Sequence, residues 1–409
     1  MDPGLLVVLS LGAILFGAAS SKLRSTPLTA PLVFVLLGFL VSDSALGLVS
    51  MPSETGVLHS LAEMALGLIL FADAMHINVA ALRRSHSTET RLLLIGLPLT
   101  VLCGTLAAVT IFPGLGLWNA AVLATIVTPT DAALGQGFVL NETVPAHLRR
   151  ALNVESGLND GLCLPILFVL LCLARVDAHP SMADYWTIFT VKQVLLGPLI
   201  GAASGLAGGW IFVKARLQGW MDAAHQRLGL VALALFCFGL ANLIGGNGFL
   251  ATFCAGITIR HFVRSPAPTG FLETESLLLA LVTFFVFGLS LVPRAIPHIG
   301  WRSLVFAVLA LTLVRIVPVV FSLIRQRLGW DGVLVLGWFG PRGVASIVFA
   351  LVLLDGRSIE DVDVMFATAI ITVALSILAH GATANPLARW YARRQAQEDR
   401  KPRIGTSEG

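Results

Sequence analysis

Apolar residues fall in long blocks along the chain, each closed by a charge, a Pro/Gly cluster or a short polar run. Cutting at those points predicts thirteen helices, at about 4–21, 27–42, 57–75, 92–112, 118–138, 148–173, 187–213, 228–243, 248–262, 272–291, 301–323, 332–353 and 363–385. The blocks are close to the ~20 apolar residues that carry a helix across a bilayer. Alternating strands of about ten residues, the mark of a membrane barrel, are absent from the sequence. The pattern therefore predicts an all-α polytopic membrane protein.

Composition agrees: 56% of residues are hydrophobic and 12% charged, about half the charge density of a soluble chain. The net charge of +4 calls for no acidic partner, and nucleic acid is excluded, because the basic residues read as a topology signal. With the N-terminus outside, the outer ends hold Arg175, Lys192, Arg294, Arg302 and Arg357, and Arg315 and Arg342 lie within the membrane; the other 20 of the 27 fall on the inner side. That asymmetry predicts a cytoplasmic C-terminus, in a plasma (inner) membrane. Met1-Asp2-Pro3-Gly4 lacks the basic start of a secretory signal, so the first block is expected to be a retained span. Cys103, Cys163, Cys172, Cys237 and Cys254 lie in apolar blocks without CxxC spacing, which points to packing rather than metal or redox chemistry.

Two six-helix halves separated by helix 7 enter the membrane from opposite faces, so they form inverted repeats, as secondary transporters do. Helix 5 contains Thr128-Pro129-Thr130-Asp131, and its equivalent, helix 12, contains Gly340-Pro341-Arg342-Gly343. Proline removes a backbone donor and clashes with the preceding turn, so both helices are expected to break mid-membrane. Simple kinks are the bland alternative. Two interruptions at equivalent places, each followed by a charge, favour a binding site.

An ionised side chain at mid-bilayer costs about 2.5–3.5 kcal/mol, so each asks for a partner or a purpose. The acids are Glu63, Asp73, Asp131, Glu155 and Asp160. In helix 6, Ser156 and Asp160 are four residues apart on one face with Asn159 beside them. Glu155 points about 140° away from Asp160. Asp160 and Asp131 are expected to line an aqueous cavity, where their oxygens, with Asn159, Ser156 and Thr130, replace the hydration shell of a small hard cation. The alternative is that they only cap broken backbone. Glu155 is expected to pair with Arg315, or else with Arg342, the remaining arginine neutralising the broken helix ends. Asp73 is an accessory candidate, and Glu63 and His59 read as vestibule or packing residues. His76, His86, His147, His225 and His261 read as solvated side chains at inner ends and loops.

Thr130-Asp131, Glu155-Ser156-x-x-Asn159-Asp160 and Gly340-Pro341-Arg342-Gly343 together resemble the monovalent cation/proton antiporters, in particular the NhaP-type sodium/proton antiporters and the animal sodium/proton exchangers. Gly245-Gly246-Asn247-Gly248-Phe249-Leu250-Ala251-Thr252-Phe253 is similar to that family's turn between helices 8 and 9. The resemblance implies a homodimer, with a scaffold of about 4–75 and 228–291, a core of about 92–173 and 301–385 that moves like an elevator, a linker helix at about 187–213 and a short tail at 386–409. It implies Asp160 as the ion- and proton-binding carboxylate, Asp131, Thr130, Ser156 and Asn159 as co-ligands, and Glu155 with Arg315 as a stabilising pair. Asn159 resembles the electroneutral branch, one cation per proton. The chain departs from the family in offering Asp73 where Glu is frequent, and Ala132 where many members have proline.

The mechanism expected is competition between a cation (Na+, with K+ or Li+ as alternatives) and H+ for Asp160, with only neutralised forms crossing. No cofactor and no enzymatic activity are implied, and no phosphate-binding GxxxxGK[ST] loop occurs in the sequence. The rivals are a proton-regulated cation channel, a sodium- or proton-coupled solute symporter and a paired-aspartate intramembrane protease. Tyr185 and Tyr391, both away from mid-membrane, offer little to an organic solute. The protease leaves the broken helices unexplained.

Overall fold

In the computed structural model, which describes residues 3–23, 26, 28–48, 56–76, 88–139, 141, 144–262, 269–324, 326, 328–355 and 361–400, the described residues form helices and no strand. The chain runs through α1 (Pro3–Leu23), α2 (Ala30–Val41), α3 (Gly56–His76) and α4 (Thr88–Ile111). Next come the two halves of α5, Leu117–Ile126 (α5a) and a short α5b made of Ala132–Gly135 and Gln136–Val139, and then α6 (Ala146–Ala178) and α7 (Ala183–Leu217). The second half comprises α8 (Ala223–Ile244), α9 (Gly248–Ile259), α10 (Thr269–Val286, extended to Ala295), α11 (Trp301–Leu323), α12a (Trp330–Trp338), α12b (Val344–Asp355) and α13 (Val362–Arg400). Eight of these helices are long and apolar enough to cross a membrane. Four shorter apolar helices and α3 account for the rest of the thirteen expected. His86, Arg24, Arg83, Arg84, Arg264, Arg325, Arg327, Arg357, Lys401 and Arg403 lie outside the described residues, as do the side chains of His59, His76 and Arg400.

Close backbone packing holds the helices in place. α7 carries Gly197, Gly201 and Gly205 at four-residue spacing, on one face of the helix. A Cβ at each would collide with the carbonyl of Asn247, Ala251 or Ala255 on α9. α2 and α10 cross the same way, since Cβ atoms at Gly38 and Gly288 would strike the carbonyls of Phe285 and Val35. α10 widens into a π-turn over Phe287–Leu291 at that crossing. Gly245 closes α8 in the left-handed conformation (φ 85°), and Asn247 caps α9 by accepting from the Leu250 amide.

Boundaries differ from the sequence pattern in several places; α6 runs on to Ala178 and α8 begins at Ala223. α4 begins at Thr88 and contains a π-turn at Leu92–Gly96, and α11 is interrupted at Thr312. α13 continues through Arg400, where a polar tail is expected from 386. Ala388 and Tyr391 are buried in a cluster with α12a residues. Arg394 pairs with Asp331 at 2.5 Å.

Candidate functional site

Each break has a local cause. Pro129 disfavours helical backbone at Thr128, and α5a stops at Ile126; Pro341 acts likewise on Gly340, and α12a stops at Trp338. The two unwound stretches meet. The Asp131 amide donates to the Pro341 carbonyl at 2.7 Å. Arg342 Nη1 donates to the carbonyls of Thr128 (2.6 Å) and Pro129 (3.3 Å), just past the C-terminal end of α5a. Reciprocally, Asp131 Oδ2 accepts from the Val344 amide (3.3 Å) at the N-terminus of α12b. A cation thus faces a negative helix end and an anion a positive one, each arrangement worth about 0.3–2 kcal/mol. The flanking glycines make the approach possible. A Cβ at Gly343 would overlap the Asp131 carboxylate, and one at Gly340 would press on Arg315 Nε.

α6 lays its polar face across this crossing. Ser156 Oγ donates to the Thr130 carbonyl (2.5 Å), and Asn159 Nδ2 to Thr130 Oγ1 (2.6 Å). Ser156, Asn159 and Asp160 are all buried. Oδ1 of Asp160 and Oδ1 of Asn159 are enclosed without a hydrogen-bond partner among the described residues. Leaving a buried polar group unpaired costs about 1–3 kcal/mol, and these two acceptor oxygens, on consecutive residues of α6, are open to a donor or a cation. Asp131 and Asp73 are the acidic neighbours whose charge reaches Asp160. Asp73, on α3, lies against α6 at Gly157.

A cavity of about 10 Å³ adjoins the crossing, with room for about one water-sized particle. It is lined by Thr130, Asp131, Ser156 and Pro341, and extends past Gly135, Val139, Leu152 and Phe339 toward the α5b–α6 connection. Asp131 is among the lining residues and Asp160 is not.

Glu155, pointing away from this face, meets Arg315 of α11 in a two-point ion pair, Oε1–Nη1 2.5 Å and Oε2–Nη2 2.8 Å. Arg342 is engaged instead with α5 backbone carbonyls. Glu63 lies on α3, half-buried, away from the lining of the cavity.

Ser376 and His380 of α13 also reach the α12 break. Ser376 Oγ accepts from the Arg342 amide at 2.6 Å, and His380 Nε2 lies 2.9 Å from the Trp338 carbonyl. Their only trace in the sequence is a Ser-x-x-x-His spacing in an apolar helix, which places both on one face.

The chain matches the family described as "Sodium/hydrogen exchanger, transmembrane" over residues 7–390. It is 27% identical to the K(+)/H(+) antiporter NhaP of Alkalimonas amylolytica over 94% of this chain and 67% of that one. It is 30% identical to a probable Na(+)/H(+) antiporter of Schizosaccharomyces pombe over 59% of this chain and 34% of the relative. The chain thus spans from about a third to two thirds of the length of these curated relatives. Among solved structures, the sodium proton antiporter MjNhaP1 from Methanocaldococcus jannaschii at pH 8 shares the fold, with a TM-score of 0.75 at 20% identity, covering 95% of this chain and 97% of that one.

Proposed function

Since this chain belongs to the sodium/hydrogen exchanger family, we propose that it is a secondary antiporter exchanging a monovalent cation for H+. Na+ is the first choice of cation, with K+ and Li+ as alternatives. The observation that carries this reading is the buried Asp160, whose Oδ1 has no partner among the described residues. Burying an ionised carboxylate is costly unless something neutralises it. Proton and cation therefore compete for Asp160. A carrier that crosses only when neutralised exchanges one for the other without ATP.

Asp131, Thr130, Ser156 and Asn159 act as co-ligands, from side chains and from backbone freed at the α5 break. Asp73 is an accessory acid that adds negative potential. Glu155 with Arg315 ties α6 to α11, and Arg342 neutralises the α5a end, so that these helices travel as one body. In this reading α4–α6 and α11–α13 form the moving core, α1–α3 and α8–α10 the scaffold of a homodimer, and α7 the linker. Movement is of the elevator type, and Asn159 favours electroneutral one-for-one exchange. The protein resides in the plasma (inner) membrane with its N-terminus outside and C-terminus in the cytoplasm, in keeping with the lysine and arginine bias.

The test is proton flux in proteoliposomes carrying a pH dye, challenged with Na+, Li+, K+ and choline chlorides, with and without an imposed membrane potential. The reading expects alkali-driven alkalinisation or acidification that choline does not evoke and that potential leaves unchanged. Cation flux that proceeds without counter-movement of protons contradicts antiport and indicates a channel.

A further inference from the structure

α13 carries a buried polar pair that touches both lips of the α12 break. Ser376 and His380 are fully buried. On one lip, the Arg342 amide donates to Ser376 Oγ (2.6 Å). On the other, His380 Nε2 faces the Trp338 carbonyl (2.9 Å), which only accepts, so this contact is a hydrogen bond in the tautomer that carries its hydrogen on Nε2. Nδ1 is then the acceptor, and the Ser376 hydroxyl, 3.1 Å away, has its hydrogen to give. Nδ1 also lies 2.9 Å from the Ser376 carbonyl, an acceptor with a second lone pair beyond its helix bond, so the other tautomer places its hydrogen there. In the Nε2–H tautomer the bonds run in one direction: Arg342 amide to Ser376 hydroxyl, hydroxyl to His380 Nδ1, His380 Nε2 to the Trp338 carbonyl.

The grip on Trp338 is reinforced twice. The His380 and Trp338 rings lie 5.2 Å apart at 31°, and the indole Nε1 donates to Thr383 Oγ1 of α13 at 3.0 Å. Between the two lips lies Pro341, whose carbonyl receives the Asp131 amide. We infer that Ser376 and His380 are positioning residues, a clasp from α13 that fixes the width of the α12 break and thereby the placement of Asp131 and Arg342 for cation binding. This deepens the antiport reading and rests on it. A chain of bonds through a ring and a hydroxyl fixes a distance that two glycines and a proline alone leave free.

The experiment measures cation-driven proton flux of the full chain in proteoliposomes for wild type, H380L, H380Q, S376A, the S376A/H380L double variant and T372A. Thr372 is buried on the same helix and bonds only its own backbone, to the Thr368 carbonyl, so T372A is the control. The clasp predicts that H380L and S376A each raise the apparent KM for the cation by about fivefold or more, the size of one lost buried hydrogen bond. The double variant is no worse than the single ones, H380Q recovers to within about twofold because its amide still donates, and T372A is unchanged. Wild-type KM in H380L or S376A, or an H380Q as impaired as H380L, overturns the inference. If H380L does not reach the membrane, S376A alone decides: a raised KM supports the clasp and an unchanged KM refutes it. A wild-type protein with no cation-driven flux refutes the antiport reading instead.

Discussion

Glu155 and Arg315 are each about 4% exposed at the side chain, so neither charge has water to fall back on. Removing one member of such a pair strands the other, at a cost of about 3–5 kcal/mol. Glu155→Gln is expected to lower thermal stability in detergent sharply, whereas replacing both members together, Glu155→Leu with Arg315→Met, restores most of it. A Glu155→Gln protein as stable as wild type contradicts a structural role. The pair shows how far residue types reach: two lone charges on apolar helices had to find partners, and the angular offset of Glu155 from Asp160 gave the direction. Ser376 and His380 were not legible in this way, because a hydroxyl and an imidazole cost less to bury than a charge and leave weaker marks on the sequence.

At the water-facing end of α8, Asp222 caps the helix, and the amide and ring of His225 hold its carboxyl below the usual carboxylate range. A depressed folded value means that the charged cap stabilises the folded form above the unfolded value and is lost as pH falls through the folded one. Hydrogen exchange at the His225 amide should therefore be slow at neutral pH and lose protection below about pH 4. Asp222→Asn keeps the acceptor without the charge and should remove that acid dependence; equal acid sensitivity in the two proteins contradicts the assignment.

The helices show a second limit on what sequence discloses. Thirteen apolar blocks and two proline-bearing interruptions were enough to place every span and both breaks, because bilayer thickness and the missing proline N–H act locally. The π-turns in α4 and α10, the interruption at Thr312 and the continuation of α13 through Arg400 depend on neighbours. Tyr391 is anchored by contacts with α12a that no one-dimensional pattern contains. The α2–α10 crossing is likewise a property of two elements at once. Gly38→Ala and Gly288→Ala each put a Cβ onto a carbonyl of the opposite helix, so each is expected to destabilise the protein by about 1–3 kcal/mol, as overpacking does. Gly17, with open space around it, provides the comparison, since Gly17→Ala should leave the melting temperature within a few degrees. Tolerance of alanine at both crossing positions contradicts the packing described.

Over the whole molecule, the two halves pack together at several crossings, and at one of them each supplies a broken helix and each break neutralises the other's helix end. Asp131 and Arg342 do this by direct hydrogen bonds, and α6 bonds Thr130 at the break through Ser156 and Asn159. Five of the residues singled out from sequence, Thr130, Asp131, Ser156, Asn159 and Asp160, fall together there. What spacing did not convey is depth. Thr130, Ser156 and Asp131 line the cavity and Asp160 is not among its lining residues, so the cavity reaches Asp131 first. In the antiport reading an entering cation therefore meets Asp131 and Thr130 before it reaches the inner carboxylate.

Asp160→Asn keeps the size of the side chain, removes its charge and replaces one acceptor oxygen with a donor amide. Reconstituted in liposomes with an internal pH dye, wild type is predicted to move protons in response to a cation gradient and Asp160→Asn to show no flux above empty vesicles. Cation-driven proton flux at the wild-type rate in Asp160→Asn would contradict the account.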